Sequence, residues 1–128
     1  MRNREPLDEF GRVLMEHLRD KAIGFYDILA QGQWKAPALQ ELQSELGQLD
    51  EQQRTIIRRC VMLSVDNALH DFLFRIQEDT DCSDEGRIQI VVNSVNIATL
   101  SDGLHGELFG ESGWMSKYSA YGEEPEFR

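Results

Sequence analysis

The sequence predicts a mainly α fold, or α+β with a minor sheet. It reads as an N-terminal three-helix bundle with a long central third helix, covered by a short β-containing, glycine- and aromatic-rich C-terminal lobe. Three observations predict it. Apolar residues recur at helical spacing through the first two thirds of the chain. One stretch, 87–93, alternates apolar and polar residues as a strand does. Half of the ten glycines fall between Gly103 and Gly122, beside His105, Trp114, Tyr118 and Tyr121. That mixture marks irregular backbone fixed by packing.

The first helix is expected over about 6–31. Pro6 suits its first turn. From Leu7, the residues Phe10, Leu14, Leu18, Phe25 and Leu29 share one sector of a helical wheel, while Arg12, Glu16, Arg19 and Asp27 face elsewhere. The second helix, about 37–46, opens at Pro37 and sets Leu39, Leu42 and Leu46 on one face, with Gly47 as its C′ residue. The third, about 50–78, starts from a capping box of Asp50 and Gln53. Its apolar face, Val61, Met62, Val65, Ala68, Leu69, Phe72, Leu73 and Ile76, is wide, about 140°. The other side mixes Ile56, Leu63 and Phe74 with Arg59, Asp66, Asn67, His70 and Asp71. The C-terminal lobe is therefore expected to form a lid over Leu63 and Phe74.

Residues 78–86 read as a solvated acidic loop. A strand over about 87–93 cannot satisfy its own backbone groups. Its partner is expected in Leu104–Phe109, in Trp114–Tyr118, or in another copy of the chain as a homodimer. Asn96 to Leu100 fit a helical turn within an irregular lobe, 96–122, and 123–128 read as a frayed end.

At 128 residues, 1–128 suits a single domain with one core, and 41% hydrophobic with 28% charged residues is ordinary globular composition. No apolar run approaches the roughly 20 residues that span a bilayer. The N-terminus carries acids within an amphipathic pattern and reads as neither signal nor transit peptide. Two cysteines in unlike settings imply no disulfide framework and point to a reducing, cytoplasmic home. Thirteen basic against 23 acidic side chains give a formal net charge of −10. Such a surface repels phosphate backbones and anionic lipid, which sets aside nucleic-acid and membrane binding. It suits a basic protein partner, and equally the solubility of a bacterial-type cytosolic protein.

Two groups of residues carry candidate chemistry. Asp66 and His70 are four apart on the third helix, and Asp102, His105 and Glu107 share a glycine-rich loop. If that loop packs on the third helix, the five would suit a small ligand or a divalent metal ion. Their plainer readings are an i,i+4 hydrogen bond and a tight Asp-Gly turn. Asp81, Ser83, Glu85 and Gly86 match early places of an EF-hand loop, yet Val92 stands where the bidentate Glu belongs, which argues against calcium. Neither Cys60 nor Cys82 has the electropositive setting of a reactive thiolate. Ser101 and Ser112 lack a nucleophile elbow, and the glycine pairs lack phosphate-loop spacing.

No catalytic set is complete. Trp114, Tyr118 and Tyr121, spaced for one face of a helical turn, are candidate anchors for a protein partner. The expected function is a non-catalytic cytoplasmic interaction module with an acidic surface, of an adaptor or immunity type. The alternative is a divalent-metal or small-ligand protein, hydrolytic or not, with its site where the third helix meets the C-terminal loop.

Overall fold

The computed structural model describes residues 3–82 and 88–123. They are mainly helical, with one small two-stranded antiparallel sheet. Helix α1 (Glu5–Leu14) has Pro6 in its first turn and passes through a π-helical turn, Met15–Arg19, into α2 (Asp20–Ala30). That run closes on a Schellman motif. Gly32 has φ +69°, its N–H donates to the Leu29 carbonyl at 3.0 Å, and Gln33 N–H donates to that of Ile28 at 3.1 Å. A 3-10 turn, Pro37–Leu39, leads into α3 (Gln40–Gly47), and α4 (Glu51–Cys82) follows. The expected capping box forms reciprocally: Gln53 N–H donates to Asp50 Oδ1 at 2.8 Å and Asp50 N–H to Gln53 Oε1 at 2.9 Å.

The π turn explains the main departure from the predicted face of the first helix. A π turn takes up one extra residue and so rotates everything that follows it. Leu7, Leu14 and Leu29 are buried as expected, but Leu18 and Phe25 are 45% and 44% exposed. Met15, Ile23 and Tyr26 are buried instead, and Arg19 moves from the solvent side to complete burial.

The α1–α2 run lies antiparallel to α4, since Arg19 meets Asp66 while Asp27 meets Arg58. The eight-residue α3 packs on α2 around a small cluster of Tyr26, Leu29 and Leu46. Burial raises the Tyr26 phenol above its ordinary range, and the hydroxyl donates to the Arg54 carbonyl at 3.1 Å. Leu42, expected inward, is exposed. Gln43 is buried in its stead, accepting from Trp34 N–H at 2.8 Å and donating to Trp34 O at 2.9 Å. Gly47, expected beyond the helix end, is the last residue of α3 itself.

The larger core surrounds the C-terminal half of α4. Leu69, Leu73 and Ile76 meet Leu7 and Leu14 from α1, Met15 from the π turn, and Ile97, Leu104, Leu108, Trp114 and Met115 from the C-terminal lobe. Buried Gln77 staples that lobe down, donating to Ala98 O at 3.0 Å and accepting from Leu104 N–H at 2.9 Å. The lobe packs on the long helix as expected, but as a lid it is partial, since Leu63 is only half-buried. Phe74 remains 48% exposed, and Ile56 and Phe72 are open as well.

The strand finds its partner locally. Strand β1 (Val91–Val92) pairs antiparallel with β2 (Val95–Asn96), with Val91 opposite Asn96 and Val92 opposite Val95. Neither Leu104–Phe109, which forms largely a 3-10 turn, nor Trp114–Tyr118, which forms helix α5, supplies it. The two turn residues, Asn93 and Ser94, have φ of +51° and +67°, as a type I′ hairpin requires. A serine is strained there. Ser94→Gly is expected to stabilise the protein by about 1 kcal/mol, read as a higher urea midpoint; an unchanged or lower midpoint would contradict the turn assignment.

Ile97–Leu100 forms the expected helical turn, capped by Asn96 Oδ1 accepting from Ala98 N–H at 3.2 Å. The first part of the expected acidic loop, 78–82, is instead the end of α4. Its remainder, with Ser83, Glu85 and Gly86 of the calcium-like pattern, lies outside the described residues, as do 124–128 of the expected frayed end. Among the described residues no helix is long and apolar enough to cross a membrane.

Candidate functional site

The five candidate ligand residues converge only in part. Asp66 is 1% exposed and points into the interior, where Arg19 Nε donates to its Oδ1 at 2.7 Å and Nη2 to its Oδ2 at 3.1 Å. It therefore does not orient His70, whose Nδ1 lies 3.1 Å from Asp71 Oδ1. Glu107 is likewise engaged, accepting from Arg4 Nη2 at 2.8 Å and from Ser101 Oγ at 2.6 Å. The Glu107 carboxylate is also what raises the Arg4 guanidinium above its ordinary value.

What does meet at the seam is aromatic. The His70 and His105 rings are 5.1 Å apart, edge to face, and the Phe74 ring lies 5.1 Å from His105 on another side. Phe109 covers His70 at 6.4 Å. Such edge-to-face contacts are packing, worth about 0.5–1.5 kcal/mol each beyond buried area. Asp102 stands at the mouth of two cavities beside His105, of 410 and 180 Å³. His105 Nδ1 is buried with no hydrogen-bond partner among the described residues. The two imidazoles come together as the sequence suggested, and Asp102 and Glu107 line the same 410 Å³ cavity as His105, but Glu107 is paired there with Arg4 and Asp66 is buried on Arg19. Among the described residues no three His, Cys, Asp or Glu side chains gather to hold a metal ion.

The expected aromatic anchors also separate. Trp114 is 1% exposed, edge-on to Phe10 at 6.1 Å, so it does not present a partner-binding face. Gly11 makes this possible, because a Cβ at that position would overlap the indole. Gly113 serves the same end: a Cβ there would overlap the Phe109 carbonyl, so only glycine lets the chain turn into α5. Tyr118 packs against the core with Lys117 Nζ 5.5 Å from its ring centroid, and Tyr121 lies beneath the Arg58 guanidinium at 5.5 Å.

Comparisons with known protein families, with curated proteins and with solved structures find no match to this chain.

Two features that the sequence did not announce carry more organisation. The first is Arg19. Besides Asp66, its guanidinium donates to Ser119 Oγ at 2.8 Å, to Tyr121 O at 2.6 Å and to Gly122 O at 2.9 Å. All five N–H donors of the fork are thereby used. Asp20, the next residue, accepts from Ser119 Oγ at 2.5 Å and from Ala120 N–H at 2.9 Å.

The second is an open groove of 490 Å³ along α2, floored by Phe25, Ile28 and Trp34 and edged by Glu16, Asp20 and Lys21. The Phe25 and Trp34 rings lie 5.2 Å apart, and the indole N–H donates to Phe25 O at 3.2 Å. Gln40 and Gln43 both donate to the Trp34 carbonyl, which fixes the backbone that carries the indole. The signal available in the sequence was the set Met15, Ile23 and Tyr26, apolar residues lying off the predicted stripe.

Proposed function

We propose that this chain is a non-catalytic protein-interaction module. It engages a basic partner through its acidic surface, with the Phe25–Ile28–Trp34 groove as the apolar anchor point. One observation carries the reading: the π turn puts Leu18 and Phe25 on the surface, at 45% and 44% exposure, where an uninterrupted helix would have buried them. A helix that turns two large apolar side chains outward, one of them Phe25 against the Trp34 indole, presents the kind of anchor that interfaces use. The formal charge of −10 complements a basic partner and would speed its encounter. A metal site at the His70–His105 seam is the weaker reading, because Asp66 and Glu107 are committed to arginines.

Affinity capture from extracts of expressing cells, comparing wild type with a Leu18→Ser/Phe25→Ser variant, tests this reading. Surface substitutions of this kind change stability by only about 0.5 kcal/mol each. Loss of a hot-spot anchor is expected to weaken specific capture at least about 30-fold. Equal recovery of the same proteins by both forms would refute the groove as the binding face.

A further inference from the structure

We propose that residues 119–123 form a releasable strap. It occupies, within its own chain, the place beside α2 and α4 that a partner peptide of the same bent shape would take. This inference rests on the reading of the chain as an interaction module and names how that surface is gated.

The strap is recognised mainly through its backbone. Arg19 donates to the Tyr121 and Gly122 carbonyls, and Asp20 accepts the Ala120 N–H. The bonds to Ser119 Oγ add a small hydroxyl to that pattern. A peptide from elsewhere that takes the same bend offers the same carbonyls and N–H groups, the main-chain contacts by which peptide-binding proteins gain affinity. The one large side chain recognised is Tyr121, under the Arg58 guanidinium, with its hydroxyl 3.4 Å from where a Cβ on Gly24 would stand. The preferred occupant is therefore a segment that bends as 119–121 does, with a small hydroxyl residue two places before an aromatic one.

Two observations make the strap separable from the fold. Ala120 and Gly122 are exposed, and Ser119, Tyr121 and Glu123 are only half-buried, so little apolar surface holds it. Beyond the polar bonds above, Gly110 N–H reaches Glu123 Oε2 at 3.4 Å. Release strands no charge, because Asp66 stays bidentate on Arg19 and water replaces the lost carbonyl acceptors. Elements held in this way open locally, without global unfolding. Asp20 and Gly24 touch the strap and also line the Phe25–Trp34 groove. Departure of the strap therefore lengthens that groove along α2 and α4.

Hydrogen exchange on the full-length protein tests the release. The Ala120 and Tyr121 amides are expected to exchange at least about 100-fold faster than those of Leu69–Leu73 in α4. A fluorescein-labelled synthetic peptide of residues 116–123 tests the gating. It is expected to bind the Tyr121→Ala chain at least about tenfold more tightly than wild type, because a weakened strap vacates the groove more often. Ala120→Pro, which deletes the N–H bonded to Asp20, is expected to act in the same direction. Strap amides as protected as α4, or peptide binding no tighter to either variant than to wild type, would overturn the proposal. Because the probe is the chain's own segment, failure to capture a foreign partner leaves this result standing, and the reverse also holds.

Discussion

Asp66→Ala is expected to cost about 3–5 kcal/mol of folding stability, because it leaves the Arg19 guanidinium buried without its counter-ion. Both side chains are essentially inaccessible, at 0% and 1% exposure, and joined by two bonds. The attraction between them offsets the desolvation of both charges, so losing one partner leaves the other's desolvation uncompensated. The strap carbonyls cannot take over: they solvate the guanidinium but do not neutralise it. Replacing both charges, as Arg19→Met/Asp66→Leu, is expected to recover most of the loss, since well-packed apolar substitutes of a buried pair are often neutral. Urea unfolding of the three variants reads this directly. A single-variant loss below about 1 kcal/mol, the range of exposed pairs, would mean that the pair is solvated in solution.

Gly11→Ala is expected to destabilise by about 2–3 kcal/mol through overpacking. The same change in an unencumbered helix would stabilise by about 1 kcal/mol. The sign reverses because the new methyl would overlap Cε2 and Cδ2 of a buried indole that Phe10 and the neighbouring core hold in place. Trp114→Leu alone is expected to cost about 3 kcal/mol, the cost of an emptied aromatic site. In the Gly11→Ala background the same change should cost clearly less, because the smaller side chain makes room for the methyl. Additive losses in that double-mutant cycle would show that Gly11 and Trp114 do not share the contact described.

The helices and the mainly α class were legible because a buried face on a long element imposes a 3.6-residue period on the chain. Asp50 with Gln53 was legible for a similar reason: capping chemistry is local, and both bonds form within four residues. The π turn was not legible. One extra residue in Met15–Arg19 costs little locally yet rotates all of α2, so Leu18 and Phe25 seemed buried and Arg19 seemed free. The hairpin was missed because Asn93-Ser94 is not the Asn-Gly pair that usually announces a type I′ turn. At the seam, Phe74 on the polar side of α4 correctly hinted that His70 and His105 approach each other. The partners of Asp66 and Glu107 could not be read, since Arg19 and Arg4 lie 47 and 103 residues away in sequence.

Those separations also bear on how the chain is made. The apolar face of α1 and the π turn, with Leu7, Leu14 and Met15, is covered in part by residues between Ile97 and Met115. A ribosome working at about 5–20 residues per second leaves that face waiting roughly 5–20 s for its last partners to emerge. For that interval the nascent protein carries a sticky, half-finished helix. Five basic and five acidic side chains share residues 1–21, so no net charge keeps like chains apart until the acidic segments that follow have emerged.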